Sequence, residues 1–449
     1  MRYPLISLFA GAGGLDLGLE FAGFTTIAAN ELEPQACETL RRNQRLSSLK
    51  GKELKDFVRE AAQQRCFAKL SPPELEIFFS RLQDHRFPCL QQAMVLEGDI
   101  RTLPSEIFRQ SIPRNIELFA IAGGPPCQPF SKAGKRKTLD CTKNGDLFYE
   151  FVRVVRDLQP RWFIFENVKG LAFTKTDVVY AVCRKCGSKS LATFRQRQRW
   201  GEVTPNSPPC TKCHSAATTW TVSHEPGGSL KIIENEFTQI GYTCSARSLN
   251  AADFGAPQIR ERLFIVGNRD GKSFTWPKPT HQQASGAENG TQLDLFASKK
   301  LLPWKTMQDA LWRNGHWRYG AYDLEQAVLW VKNVVRPHDE PVTWTLDRPS
   351  PTIGAHQGAK LAFAPQGVPP AQLFRQQWHT LGRRQGDTPP VFVEHEYLSD
   401  EELLRLQTFP RWWYLHGTRM QRAFQIGNAV PPLLAKVVGE AVIRSDQSA

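Results

Sequence analysis

Cys127 stands in the run Gly123-Gly124-Pro125-Pro126-Cys127-Gln128-Pro129-Phe130-Ser131. Prolines on both sides of the thiol stiffen the backbone, and the two glycines let another backbone or a ligand approach closely. Ile116 to Ala122, broken only by Glu117, predicts a short buried strand just upstream. A thiol on a rigid loop past the carboxyl end of a strand lies where α/β sheets bind ligands. As a thiolate it would be a nucleophile, although a lone free cysteine is usually a small buried hydrophobe. Two other segments offer it partners. Glu166-Asn167-Val168 follows a predicted strand, Arg161 to Phe165, and supplies an acid. Gln258-x-Arg260-x-Arg262 sets two guanidiniums on the same side of an extended segment. Taken singly, the first is a strand-end surface acid and the second a solvated charge run.

A different chemistry is written in Cys183-x-x-Cys186 and Cys210-x-x-Cys213, two pairs separated by 23 residues. Four thiolates so spaced suit tetrahedral zinc. An iron–sulfur cluster, or His214 in place of one thiol, remains open. Lys189, Arg195, Arg197 and Arg199 lie between the pairs, with Trp200 beside them. That knuckle would either contact phosphates or simply staple an insertion.

The elements that must position these groups follow a nucleotide-binding rhythm. Leu5 to Phe9 predicts a strand, Ala10-Gly11-Ala12-Gly13-Gly14 a turn, Leu15 to Gly23 a helix, and Thr25 to Ala29 a second strand closed by Asn30-Glu31. This is the outline of a Rossmann-type half, with Glu31 placed for ribose hydroxyls. The Gly-x-Gly is shorter than the full fingerprint. Further helices are predicted at Pro34 to Asn43, Gly145 to Leu158, Leu230 to Gln239, Asp400 to Leu406 and Pro431 to Ile443, and further strands at Met94 to Asp99 and Leu263 to Val266. Lys272 to Gly290 reads as a linker, and Leu301 to about Tyr397 as an irregular second domain rich in Trp, Pro and Arg.

The balance of 57 Lys+Arg against 44 Asp+Glu gives +13 and favours a polyanionic partner, nucleic acid first. Ten cysteines are too few for a disulfide scaffold in 449 residues. No signal peptide is evident, and no apolar run is read as long enough for a membrane span, which leaves a cytoplasmic protein with reduced thiols and no membrane partner.

In chain order, the Phe9 to Gly14 turn, the Pro125-Pro126-Cys127 loop, Glu166-Asn167-Val168, Gln258-x-Arg260-x-Arg262 and Gly427-Asn428-Ala429-Val430-Pro431-Pro432 together resemble the DNA (cytosine-5) methyltransferase family of bacterial type. The resemblance runs end to end apart from the insertions and the variable region. It implies a Rossmann-type α/β methyltransferase using S-adenosylmethionine, with a small irregular target-recognition domain and, departing from the family core, a four-cysteine zinc-binding insertion. It implies that Cys127 adds to carbon 6 of a flipped cytosine in double-stranded DNA and that Glu166 meets ring nitrogen 3 and the amino group. Arg262 would reach the base carbonyl while Gln258 and Arg260 organise the site. Phe9, Gly11, Gly13, Glu31, Asp99, Ile100, Pro125, Asn428 and Val430 fall on cofactor positions. Asp99 would accept from the adenine amino group and Ile100 would pack on the base. Ser131 and Arg136 fall on a loop expected against DNA, and Arg348-Pro349-Ser350-Pro351-Thr352-Ile353 on a motif that supports the recognition domain.

The expected layout is a catalytic domain at 1–271, a target-recognition domain at 272–398 and a return to the catalytic domain at 399–449. A helical insertion is expected at about 44–93 and the zinc-like insertion at about 178–226. The final helix should fold back beside the first strand. The setting implied is a bacterial modification or defence methylase acting as a monomer, with any restriction protein on a separate chain. The alternatives are a tRNA cytosine-5 methyltransferase and a catalytically retired DNA-binding regulator.

Overall fold

The computed structural model describes residues 3–63, 89–126, 146–191, 209–283, 301–311, 327–331, 342–355, 361–365 and 396–448. Five strands form the parallel part of its main sheet: β1 (Pro4–Leu8), β2 (Thr25–Glu31), β3 (Met94–Glu97), β4 (Ala120–Gly123) and β5 (Trp162–Val168). The helices joining them are α1 (Gly14–Ala22), α2 (Pro34–Ser48), α3 (Gly51–Gln63), α4 (Ser105–Gln110) and α5 (Asp146–Leu158). Next come β6 (Thr176–Cys183), β7 (Lys189–Leu191) and β8 (Thr218–Glu225), then α6 (Gly228–Gln239), β9 (Thr243–Asn250) and β10 (Glu261–Asn268). The seven-stranded order is β3-β2-β1-β4-β5-β10-β9, with β10 antiparallel to both neighbours. The order reverses at β1 and β4, and a cleft outside the carboxyl ends of the strands there is the usual ligand site of such sheets.

Burial explains the apolar strands. Leu5, Ile6, Leu8, Ala120, Ile121, Phe163 and Ile164 are fully buried, as strands covered on both faces require. Beneath the sheet Phe163 stacks on Phe237 of α6, with ring centroids 3.9 Å apart.

The described part of the later chain contains β11 (His281–Gln282), β12 (Leu302–Pro303), α7 (Met307–Leu311), β13 (Ala327–Val331), β14 (Val342–Thr345), β15 (Leu361–Pro365) and β16 (Glu396–Tyr397). The order β14-β13-β15-β16 makes a small antiparallel sheet where the sequence reads as irregular. The described part of the expected linker is fastened to the first body. The Thr275 N–H donates to Ser445 Oγ at 3.0 Å, and the Thr280 N–H to the Asp253 carbonyl at 2.9 Å.

Three helices close the fold: α8 (Asp400–Leu406), α9 (Arg419–Asn428) and α10 (Pro432–Gln447). As expected, α10 folds back onto the start of the chain, against α1. Glycines set the closeness of that packing. A β-carbon at Gly14 would lie 2.3 Å from the Val430 carbonyl oxygen, and one at Gly18 would lie 2.2 Å from that of Pro432. One sequence reading needs correction here. Arg419–Gln447 is long and apolar enough by composition to cross a membrane. It nevertheless folds as two helices separated at residues 429–431, and Leu434, Ala435, Val438 and Val442 are spent on the core against α1 and β1.

The cysteine-bearing insertion is a three-stranded antiparallel arm of order β7-β6-β8, Thr176 to Glu225. It leaves the body just after β5, through a short 3-10 turn at Lys169–Ala172.

Candidate active site and metal centre

Glu166, Arg260 and Arg262 meet at the junction of β5 and β10. Antiparallel register sets Glu166 opposite Phe264 and Arg262 opposite Val168. Arg262 Nε lies 3.1 Å from Glu166 Oε1, with both side chains almost wholly buried. Burial pushes the Glu166 carboxyl above the ordinary range, while the Arg262 and Arg260 charges pull it back. Gly124 presses on the same carboxylate, since a β-carbon there would sit 2.5 Å from Oε2. Asn167 Nδ2 donates to the Pro125 carbonyl at 3.4 Å and ties the start of the proline loop to β5. Pro125 is buried and Pro126 exposed. Cys127, Ser131 and Arg136 lie outside the described residues.

Arg260 is a fully buried clamp. Its guanidinium donates to the carbonyls of Ile353 at 2.9 Å, Gly427 at 2.7 Å and Ala429 at 2.8 Å. One side chain therefore joins the strand carrying Arg262, the Arg348 to Ile353 motif and the turn before α10. Gly427 is needed there, because a β-carbon would fall 2.4 Å from the Ala355 backbone. Gln258, also fully buried, forms a parallel bridge with Ser350, and its Nε2 lies 3.5 Å from the Leu406 carbonyl. Gln258 and Arg260 thus hold the frame around Arg262 and Glu166.

The expected cofactor residues surround the carboxyl ends of β1 and β2. Phe9 has φ 56° and Gly11 φ 57°, so the chain turns through left-handed conformations directly after β1. Space above Gly11 is open, with no atom within 4 Å of a β-carbon position. At Gly13 (φ 77°) the same construction meets Leu40 at 2.9 Å and Trp413 at 3.0 Å. Gly13 gives α1 no side-chain cap, which leaves its first N–H groups available to a polar ligand. Glu31 Oε2 accepts from the Gly11 N–H at 2.7 Å, and Oε1 from Leu32 and Glu33 at 2.9 Å each. Those bonds lower its carboxyl pKa, but burial outweighs them and raises it. Asp99 is held by Arg101, whose Nε lies 2.9 Å from each carboxylate oxygen, which keeps the carboxyl below its ordinary range. Ile100 is 2% exposed and sits in the core with Phe108 and Phe148, so little of it faces a cleft. Asn428 is exposed, while Val430 is buried against α1.

Sequence reasoning did not single out Trp413 or Asn250. The Trp413 indole donates to the Ala12 carbonyl at 3.1 Å and braces the glycine turn from the far end of the chain. Asn250 Oδ1 accepts from the Arg260 N–H at 3.1 Å. The Trp412-Trp413 pair was the available signal for the first; nothing in the local sequence marks the second.

At the arm's outer end, the sulfurs of Cys183, Cys186, Cys210 and Cys213 all lie within 4.8 Å of one another. Two of the separations are 3.6 Å (Cys183 to Cys213) and 3.5 Å (Cys186 to Cys210). Four thiolates about 2.3 Å from a central zinc would stand about 3.8 Å apart. The two turns match. Gly187 N–H donates to the Cys183 carbonyl and His214 N–H to that of Cys210, both at 2.9 Å, and both donors are left-handed, with φ 70° and 56°. His214 therefore occupies the turn position that Gly187 fills in the other knuckle.

The fold and these clusters define an α/β enzyme of nucleotide-binding type, with a buried acid–arginine pair at the sheet's carboxyl edge. The family model "C-5 cytosine-specific DNA methylase" matches residues 3–66, 77–185 and 221–444, and the chain belongs to that family. It is 34% identical over 312 residues to the Type II methyltransferase M.AquIA of Picosynechococcus sp., covering 69% of this chain and 88% of the relative. It is 26% identical to M1.HphI of Haemophilus parahaemolyticus over 99% of this chain and 87% of that one. The solved S. pombe Dnmt2 methyltransferase aligns over 99% of this chain and 98% of its own, at 15% identity and TM-score 0.48. The protein is thus a DNA (cytosine-5) methyltransferase that uses S-adenosylmethionine. The family match omits residues 186–220, most of the cysteine arm.

Proposed function

We propose that this enzyme methylates carbon 5 of a flipped cytosine within a specific DNA sequence through a covalent adduct with Cys127, as the modification enzyme of a Type II restriction-modification system. The observation that carries the reading is the buried Arg262–Glu166 pair against Gly124, three residues before Cys127. The relatives named above are Type II methyltransferases, which supports the biological setting.

S-adenosylmethionine supplies an electrophilic methyl sulfonium when bound. Gly11 and Gly13 shape the turn for it, Glu31 is placed for its ribose, and Phe9, Asp99, Pro125, Asn428 and Val430 complete the proposed surround, with Ile100 backing it from the core. On the base, the Cys127 thiolate adds to carbon 6, which breaks aromaticity and makes carbon 5 nucleophilic. Glu166, its carboxyl raised by burial, shares a proton with ring nitrogen 3 as charge builds there. Arg262 holds Glu166 and faces the base carbonyl. After carbon 5 gains the methyl group it loses its proton, and the ring expels the thiol. Ser131 and Arg136 are proposed DNA contacts.

The four arm cysteines are proposed to hold one structural zinc, supported by sulfur spacings close to the tetrahedral value. Bisulfite sequencing of DNA from cells expressing the protein tests the function directly. One methylated sequence context is expected. Unmethylated DNA from cells making folded protein would refute the reading.

A further inference from the structure

The described part of the cysteine arm has a polarised charge. Its two described acids lie at the root and are both paired. Asp177 meets His224 at 2.8 Å, and Glu225 meets Lys231 at 2.5 Å. The outer end is different. Residues 183–191 and 209–217 carry Arg184, Lys185, Lys189 and Lys212 and no Asp or Glu. All four are exposed, and none forms an ion pair with a described residue. Arg184 and Lys185 lie inside one Cys-x-x-Cys turn and Lys212 inside the other. The clustered sulfurs therefore hold these three cations at one end of the arm. A folding staple needs the cysteines but not four exposed cations with no described acid beside them.

The root of the arm is fixed near the reacting groups. β5, which carries Glu166, leads through Lys169–Ala172 into β6, and Lys169 pairs with Glu261 next to Arg262. An eight-residue strand such as β6 spans about 25 Å. That length corresponds to about seven base pairs at about 3.4 Å each.

We propose that the outer end of the cysteine arm is a second DNA contact, in which Arg184, Lys185, Lys189 and Lys212 grip backbone phosphates several base pairs from the target cytosine. The contact rests on duplex DNA being the substrate. It adds affinity without reading bases, because phosphate contacts position the protein and carry no sequence information directly.

The test is DNA binding across a salt series. The full chain would be compared with the triple variant Arg184→Gln/Lys185→Gln/Lys212→Gln on two duplexes carrying the methylated sequence context. One has about five base pairs on either side of the target and the other about fifteen, lengths set by the reach of the arm. Each phosphate contact contributes about 0.9 to the slope of log affinity against log salt. On the long duplex the variant should lose about 2 to 3 from that slope and bind about tenfold or more weakly near physiological salt. On the short duplex the two proteins should bind alike. Equal slopes on the long duplex, at equal metal content, would overturn the proposal. So would an equal loss on both duplexes, which would place the contact at the target itself. If the triple variant fails to fold, Lys189→Gln, outside both cysteine turns, should lower the long-duplex slope by about 0.9, and no change would overturn the proposal. Binding by the parent protein reports separately on the substrate assignment.

Discussion

The Glu166 carboxylate is packed so tightly on Gly124 that a β-carbon there would lie 2.5 Å from Oε2. Gly124 thus fixes where the acid stands relative to the loop that continues to Cys127. Gly124→Ala should displace Glu166 by several tenths of an ångström or disturb its pairing with Arg262. Misplacement by about 1 Å costs about 100-fold in rate, so this smaller shift should cost up to that much. Steady-state kinetics should show that loss with the melting temperature nearly kept; unchanged kinetics would remove Gly124 from the positioning role.

Arg262 lowers the Glu166 carboxyl pKa against the effect of burial. Arg262→Met should therefore raise it further. The ionisation of Glu166, followed by carboxyl NMR in the free enzyme, should move to higher pH in the variant. Arg262→Lys should restore much of the ionisation behaviour, but less of the activity, because an ammonium does not reproduce the guanidinium's geometry.

Arg260 satisfies three backbone carbonyls from two distant segments. Arg260→Ala leaves them buried without donors and should cost about 3–5 kcal/mol of stability by denaturant unfolding. Cofactor affinity should fall with it, because Gly427 and Ala429 flank Asn428.

A pH effect is built into α1. Asp16 is fully buried, neither of its carboxylate oxygens has a partner of normal hydrogen-bond geometry, and burial raises its pKa from 3.8 to about 6. Glu20, one turn on, is raised from 4.5 to about 7. The folded state then binds these protons more tightly than the unfolded chain. Stability falls as pH rises from about 4 through about 7, and the Asp16 penalty above pH 6 is about 3 kcal/mol. Asp16→Asn should melt higher than the parent at pH 8 and at nearly the same temperature near pH 4. Equal melting temperatures at pH 8 would contradict this.

The first half of the sheet and α10 were legible in the sequence because their signals are local: apolar runs, glycine turns and a proline start. β5 and β10 proved longer than their apolar cores suggest. Both run on through polar residues, Glu166 and Arg262, which are buried only because each is opposite the other strand. The helix α9 and the sheet around β13 lack a clear period. They depend on distant partners, as when Arg260 anchors the end of α9 through Gly427. The clamping role of Arg260 was legible as an organising one, but its three carbonyl partners were not, since backbone acceptors carry no residue-type signature. The bracing of Ala12 by Trp413 spans almost the whole chain; the Trp412-Trp413 pair marks one end of it, and nothing in the sequence names the carbonyl it reaches.

The central claim is the cysteine adduct, and a duplex carrying 5-fluorocytosine at the target tests it most directly. Fluorine on carbon 5 cannot leave as a proton does, so the thiol cannot be expelled after methyl transfer. With S-adenosylmethionine present, peptide mass spectrometry should find the methylated base joined to Cys127, and Cys127→Ser should give no adduct. An adduct on another residue, or turnover of ordinary duplex DNA by Cys127→Ser at the parent rate, would contradict the account.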